Sequence, residues 1–265
     1  MVPGKRFIVQ SNWKMNKTFE DGLAYLSALR SAESRFLGLA ELVLCVPFTL
    51  LRTLADAAKG ITCVSMGAQN VHWEDKGAFT GEISAPMLKE AGASYCVVGH
   101  SERREAFADT DERVQWKAKA CLKQEISPIV CIGESLQERK RGQTLAKLEY
   151  QFLTCFEGFT SQDMENTVIE YEPVWAIGSG LVATPEQAGE AHQFIREMIR
   201  KYHSAETASR TRIIYGGSVK VKNVREMAET RDTDGVGVGS ESWEVQKFIE
   251  LAEISAQSAS KRKVL

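Results

Sequence analysis

Thr167–His203, "TVIEYEPVWAIGSGLVATPEQAGEAHQFIREMIRKYH", changes its period halfway along. The opening TVIEY is β-branched and aromatic and alternates, which is the composition of a strand. The later part starts at Thr184, with Pro185 and Gln187 behind it: an N-cap, a first-turn proline and a capping-box partner. Ala188, Ala191, Phe194, Ile195 and Met198 then recur at three- and four-residue spacing, so the helix has one face to bury. Between the two stands Glu172, at the mouth of the strand. It is followed by Pro173, by the apolar Val174, Trp175, Ala176 and Ile177, and by glycines. Strand, loop and helix in that order form the repeating unit of a parallel α/β fold.

The unit recurs. Strands are predicted at Phe7–Ser11, Leu42–Val46, Thr62–Met66, Tyr95–Val98, Pro128–Ile132, Thr167–Tyr171, Arg212–Tyr215 and Gly235–Val238. Most are continuous apolar runs, as expected of parallel strands covered on both faces. "TFEDGLAYLSALRSAE" and "DTDERVQWKAKACLKQE" supply further helical periodicity between them. Eight strands alternating with helices over 265 residues predict an α/β fold, a (β/α)8 barrel in a single domain spanning residues 1–254. The polar, basic "SAQSASKRKVL" at 255–265 is expected to be a frayed, flexible C-terminal tail. A doubly wound sheet competes, but it uses fewer strands and a glycine-rich loop after the first, whereas here the first strand runs into "SNWKMN".

Bulk properties exclude several classes of function. A net charge of −2 gives no field to recruit nucleic acid or an acidic membrane. The opening "MVPGKRFIVQ" lacks the apolar stretch of a signal peptide, and no segment is long and apolar enough to span a bilayer. The six cysteines form no C-x-x-C pair and sit mostly in apolar runs. They are expected to be reduced and buried, which points to a reducing, cytoplasmic setting.

In a barrel the C-terminal ends of all strands face one way and carry the chemistry. Those ends here hold Asn12 and Lys14, Gln69 and Asn70, His100 with Ser101 and Glu102, Gly133 and Glu134, Glu172, Gly216-Gly217-Ser218, and Gly239-Ser240. Glycine turns offer backbone N–H groups to a phosphate, and a lysine offers charge to the same anion or to an oxyanion. A histidine beside a carboxylate suits proton transfer next to a carbonyl. Taken singly, the lysine reads as a solvated side chain, His100 as a strand-to-helix junction and "YGGS" as a tight turn. Together they point to a small phosphorylated carbonyl substrate.

"NWKMN" (Asn12–Asn16), "GAFTGE" (Gly77–Glu82), "VVGHSERRE" (Val97–Glu105), "CIGE" (Cys131–Glu134), "YEPVWAIGSG" (Tyr171–Gly180) and "YGGSV" (Tyr215–Val219) follow in order along nearly the whole chain. In these motifs the sequence resembles the triosephosphate isomerase family. The resemblance implies a TIM barrel that interconverts dihydroxyacetone phosphate and D-glyceraldehyde 3-phosphate through an enediolate, with no metal and no cofactor. It implies that Glu172 is the base, that His100 is a neutral electrophile, and that Lys14, with Asn12 beside it, balances the substrate's charge. This family's neutral histidine is a standard illustration of pKa tuning at a helix N-terminus. Backbone N–H groups of Gly178, Ser218, Gly239 and Ser240 would hold the phosphate. Ser101, Glu102 and Cys131 would support the site, Glu102 by holding the lysine. The apolar stretch after Glu172 would be a lid, with hinges at Pro173–Trp175 and Leu181–Ala183 and its tip at Gly178–Gly180. The loop 70–82, with Trp73 and Phe79 among polar residues, would enter the other subunit of a homodimer and bring Thr80 close to Asn12 and Lys14 of the partner subunit.

Two departures from the family pattern stand out. "DGVGVGSES" puts Ser240 where the family has a second glycine, with Gly237 inside the strand and Glu241 just beyond. A displaced phosphate cup and a raised KM are expected. Leu181 and Val182 are also more apolar than the family's usual lid residues. Two other readings compete with the isomerase. One is a metal-dependent sugar-phosphate epimerase, disfavoured by the lack of ligand spacing at the strand ends. The other is a catalytically idle barrel acting as a binding scaffold.

Overall fold

Eight strands form where the apolar runs lie: β1 (Phe7–Asn12), β2 (Ala40–Cys45), β3 (Val64–Ala68), β4 (Tyr95–Val98), β5 (Ser127–Ile132), β6 (Val168–Tyr171), β7 (Arg212–Tyr215) and β8 (Gly235–Val238). The computed structural model describes residues 6–262; residues 1–5, where the reading for a signal peptide began, and 263–265, the end of the expected tail, lie outside them. Each strand pairs in parallel with the next, and β8 pairs with β1 through Ile8 and Gly235, so the barrel closes. The strand starts differ from the sequence expectation where local bonds decide. Ala40 pairs with Phe7, which extends β2. Thr62 is held by Glu33, which accepts from its N–H and its hydroxyl, so the chain turns there before β3 begins.

The helix Pro185–Tyr202 starts as the sequence predicts, with Thr184 accepting from the N–H of Gln187 and Gln187 accepting from that of Thr184. Thr18 caps the helix Phe19–Ala32 in the same way with Asp21, whereas Thr110 caps Asp111–Lys123 only by accepting the N–H of Arg113. Helices and strands bury one continuous apolar layer between them, in which Trp13 stacks edge-on against Tyr25 at 5.0 Å. Inside the barrel a second layer gathers Ile8, Val43, Val97, Ile129, Val168 and Ile214. The N-terminal end of the barrel is plugged by a polar cluster. Arg212 lies 3.1 Å from Glu41 and donates to Tyr95 Oη at 2.8 Å, while Tyr95 and Ser65 both donate to Glu41.

One expectation is corrected at the C-terminus. Residues 255–262 are not a frayed tail: the last helix runs Val245–Arg262, with Ser255 and Ala256 buried and Ser255 donating to Leu251 O. Ser258 is buried as well, and this last helix packs against β1 and β2. All six cysteines are free and buried, as expected. Burial pushes the Cys45 thiol up to about 12 and the Cys63 thiol to about 11, so both stay protonated. Among the described residues no helix is long and apolar enough to cross a membrane.

Candidate active site

A cleft of about 450 Å³ opens at the C-terminal ends of the strands, the face expected to carry the chemistry. Asn12, Lys14, His100, Ser101, Glu102, Gly178, Ser218, Gly239 and Ser240 all line it. Nine positions scattered over the chain thus meet because their strands end at one rim.

Lys14 leaves β1 in the left-handed region at φ 52°, a costly conformation for a residue with a side chain. Two bonds hold it there. Asn12 Oδ1 accepts its N–H at 3.0 Å, and Gln69 Nε2 donates to its carbonyl at 3.0 Å. Gln69 therefore buttresses the lysine and does not reach the cleft. Asn70 also stays out, accepting from the buried Lys117, whose ammonium pairs with Asp109 at 2.7 Å. Lys14 Nζ meets Glu102 Oε1 at 2.5 Å, the holding contact expected of Glu102.

His100 is the N-cap of the short helix Ser101–Phe107, and its Nδ1 accepts the N–H of Glu102 at 3.2 Å. A ring nitrogen that accepts carries no proton, so the proton of a neutral imidazole sits on Nε2. That Nε2 lies 3.1 Å from Glu172 Oε1. Glu172 is almost fully buried and sits behind His100, off the cleft wall; Ser101 donates to it from its N–H at 2.9 Å and from its hydroxyl at 2.8 Å. Close backbone approach makes this possible, because a Cβ on Gly133 would stand 1.9 Å from Glu172 O. Only glycine fits there.

Beyond Glu172 the chain makes a turn at Val174–Ala176 whose indole is tied down. Trp175 Nε1 donates to Glu134 at 2.8 Å, and the same buried carboxylate accepts from Tyr171 Oη and from Arg139 at 3.0 Å. The sequence placed Glu134 at a strand end without a role; here it anchors the base of the loop after Glu172. Ser179 Oγ donates to Trp175 O at 2.6 Å, while Gly178 and Gly180 both adopt positive φ at the tip. Leu181 and Val182 are exposed.

Two of the predicted supporting residues lie off the cleft. Cys131 sits beneath it, its thiol 3.5 Å from Glu170 Oε2. Thr80 is exposed on the loop 70–82 and reaches no group of this chain's own site. That loop packs partly on itself: His72 stacks on Trp73 and lies tilted against Phe79, each at 4.2 Å, and Trp73 also meets Trp116. Phe79 keeps 42% of its surface exposed. Glu241 does line the cleft, as its position after Ser240 suggested. Gln10 and Glu170, at the bottom of the cleft, were missed altogether. Their signal was a polar residue in each of two strands that otherwise read as core.

The family model "Triosephosphate isomerase" matches residues 7–255. A triosephosphate isomerase of Alkaliphilus oremlandii is 43% identical over 242 residues, 91% of this chain and 96% of the relative. One of Endomicrobium trichonymphae is 44% identical over 248 residues, 94% of this chain and 98% of the relative. Among solved structures, the triosephosphate isomerase of Bartonella henselae superposes with a TM-score of 0.84 at 36% identity, covering 94% of this chain and 99% of its own.

Proposed function

The chain belongs to the triosephosphate isomerase family, and from that premise we propose the roles of the residues in its cleft. The protein is an aldose–ketose isomerase that interconverts dihydroxyacetone phosphate and D-glyceraldehyde 3-phosphate through an enediolate, without a cofactor. The match to enzymes of this name along almost the whole chain favours it over an idle scaffold.

Glu172 is the base that moves a proton between the two substrate carbons. His100 donates from Nε2 to the substrate's carbonyl oxygen and carries protons between the two oxygens. Lys14 stabilises the charge that develops on the enediolate and on the phosphate. Backbone N–H groups of Gly178, Ser218, Gly239 and Ser240 take the phosphate. The observation that carries this assignment is the 3.1 Å approach of His100 Nε2 to Glu172, beside a cleft that also holds Lys14. Glu172 must leave Ser101 to reach a substrate carbon. Closure of residues 174–183 over the cleft brings the apolar side chains against it and excludes water from the base and the enediolate.

The same reading makes the protein a cytoplasmic homodimer joined through the loop 70–82, with Thr80 close to Asn12 and Lys14 of the partner subunit. Exposed Met15, Phe79 and Met87 support it, since Gln69 ties the start of that loop to the Lys14 turn.

Initial rates with D-glyceraldehyde 3-phosphate, coupled to NADH oxidation by glycerol-3-phosphate dehydrogenase, test the assignment. Wild type turns over, and Glu172→Asp falls by about 10²–10⁴-fold. A folded wild type without turnover overturns the reaction. An undiminished variant overturns the role of Glu172.

A further inference from the structure

Beneath Glu172 lies a second carboxyl group that the reaction as described does not use. Glu170 stands two residues earlier on β6, on the same side of the strand. Its side chain and that of Gln10 form the bottom of the cleft, flanked by Gly216 and Gly237. The glycines make the room. A Cβ on Gly237 would stand 2.2 Å from Glu170 Oε1 and 2.7 Å from Gln10 Oε1, and one on Gly216 would stand 2.3 Å from Glu170 Oε1. The glycine that interrupts the apolar run of β8 is thus the complement of the glutamate in β6.

The groups facing Glu170 include hydrogen-bond donors but no cation paired with it. From β1 comes the amide end of Gln10, 3.1 and 3.2 Å from the two carboxyl oxygens; its nitrogen can donate to a carboxylate, or its oxygen can accept from a protonated one. From β2 comes Cys45, at the other side of that amide, and from β5 comes Cys131, whose thiol donates to Glu170 Oε2 at 3.5 Å. β7 and β8 offer only Gly216 and Gly237. Glu172 lies above on its own strand. Lys14, whose charge favours the ionised form, is ion-paired with Glu102 instead. A carboxylate buried without a paired cation is costly, so it keeps its proton.

We infer that Glu170 is a positioning residue of this reaction: an uncharged carboxyl group in the barrel floor that keeps negative charge away from the layer where Glu172, Lys14 and the substrate meet. The inference rests on the role proposed for Glu172. Burial first, and then the charge of Glu172, push Glu170 up to about 8, against the opposing influence of Cys131, Lys14 and Gln10. Above that pH an ionised Glu170 offsets part of the charge of Lys14 and opposes both an anionic substrate and the enediolate. The value of kcat/KM therefore falls on the alkaline side.

The experiment compares pH profiles of kcat/KM for wild type and Glu170→Gln, the isosteric stand-in for the neutral acid. In wild type the value drops about tenfold between about pH 7 and about pH 9.5, the scale of one unit charge acting across a protein site. In Glu170→Gln the ratio between those two pH values falls to within about twofold. A variant that keeps the wild-type alkaline limb overturns the inference, as does a wild type with no such limb. Should the variant fail to fold, carboxyl-carbon NMR of wild type labelled at glutamate decides. A glutamate titrating with a midpoint between about 7 and 9 supports the inference, and none in that window overturns it. Glu172→Asp, measured alongside, separates failure of this inference from failure of the site: it tests the base at every pH, whereas Glu170→Gln alters only the shape of the profile.

Discussion

Ser101 donates twice to Glu172, from its backbone N–H to Oε2 at 2.9 Å and from its hydroxyl to Oε1 at 2.8 Å. The proposed base is therefore held at the helix start beside His100, not poised over the cleft. Both bonds must break before it can take a proton from carbon. Ser101→Ala removes one of them and leaves the backbone donor, so kcat/KM is expected to fall by less than about tenfold. Steady-state rates against Glu172→Asp check this, and a Ser101→Ala loss as large as that of Glu172→Asp would mean that the hydroxyl does more than hold the base.

The loop after Glu172 is anchored by one buried carboxylate. Trp175→Phe removes the donor that ties the indole to Glu134 at 2.8 Å, while Tyr171 and Arg139 still satisfy Glu134. A hydrogen bond to a charged group is worth about 1.5–3 kcal/mol, so a loop that closes less accurately should lower kcat by about tenfold or more, with little change in thermal stability. Kinetics and a melting curve on the same preparation check both halves of this.

Ser240 and Glu241 both border the cleft where the phosphate is expected. The hydroxymethyl group of Ser240 is expected to narrow the approach to its N–H, and Glu241 to repel an anion. Ser240→Gly is expected to lower KM about two- to tenfold with kcat unchanged, up to about 1.4 kcal/mol of uniform binding. An unchanged KM would show that Ser240 already turns its side chain out of the phosphate's way.

At the opposite end of the barrel, Glu41 is held below the usual carboxylate range. Burial works against this, but Arg212 and the hydrogen bonds from Tyr95 and Ser65 outweigh it. A carboxylate depressed in the folded state contributes stability above its unfolded pKa and loses it as pH falls through the folded value. Glu41→Gln leaves Arg212 buried without its partner and is expected to cost about 3–5 kcal/mol near neutral pH. That difference from wild type should shrink in acid, below the usual carboxylate range, where wild type loses the same charge. Denaturant unfolding near neutral pH and in acid checks the sign, and a constant difference would show that the pair contributes no net charge stabilisation.

The strands, their order and the barrel they close were legible in the chain itself, as was the cap Thr184. Each rests on local chemistry: β-branched runs, periodic apolar faces and side chains that reach a backbone three residues away. The residues at the strand ends were legible for a related reason, because parallel strands put all their C-terminal ends on one rim whatever lies between them. Tertiary structure decided what each one touches. Gln69 turned out to brace Lys14, Glu134 to anchor the loop after Glu172, and Trp73 to pack on Trp116, through contacts between residues far apart in sequence. It also decided the fate of Ser255, Ala256 and Ser258, which look mobile alone but are buried once a barrel stands beside them. Gln10, Glu170 and Gly237 show the limit most clearly. Two polar residues and a glycine on three strands mean little in sequence, because strand period does not reveal which side faces inward when both sides are buried. Closing the barrel turns all three inward to the same depth, and there one residue's missing side chain makes room for another's carboxyl group.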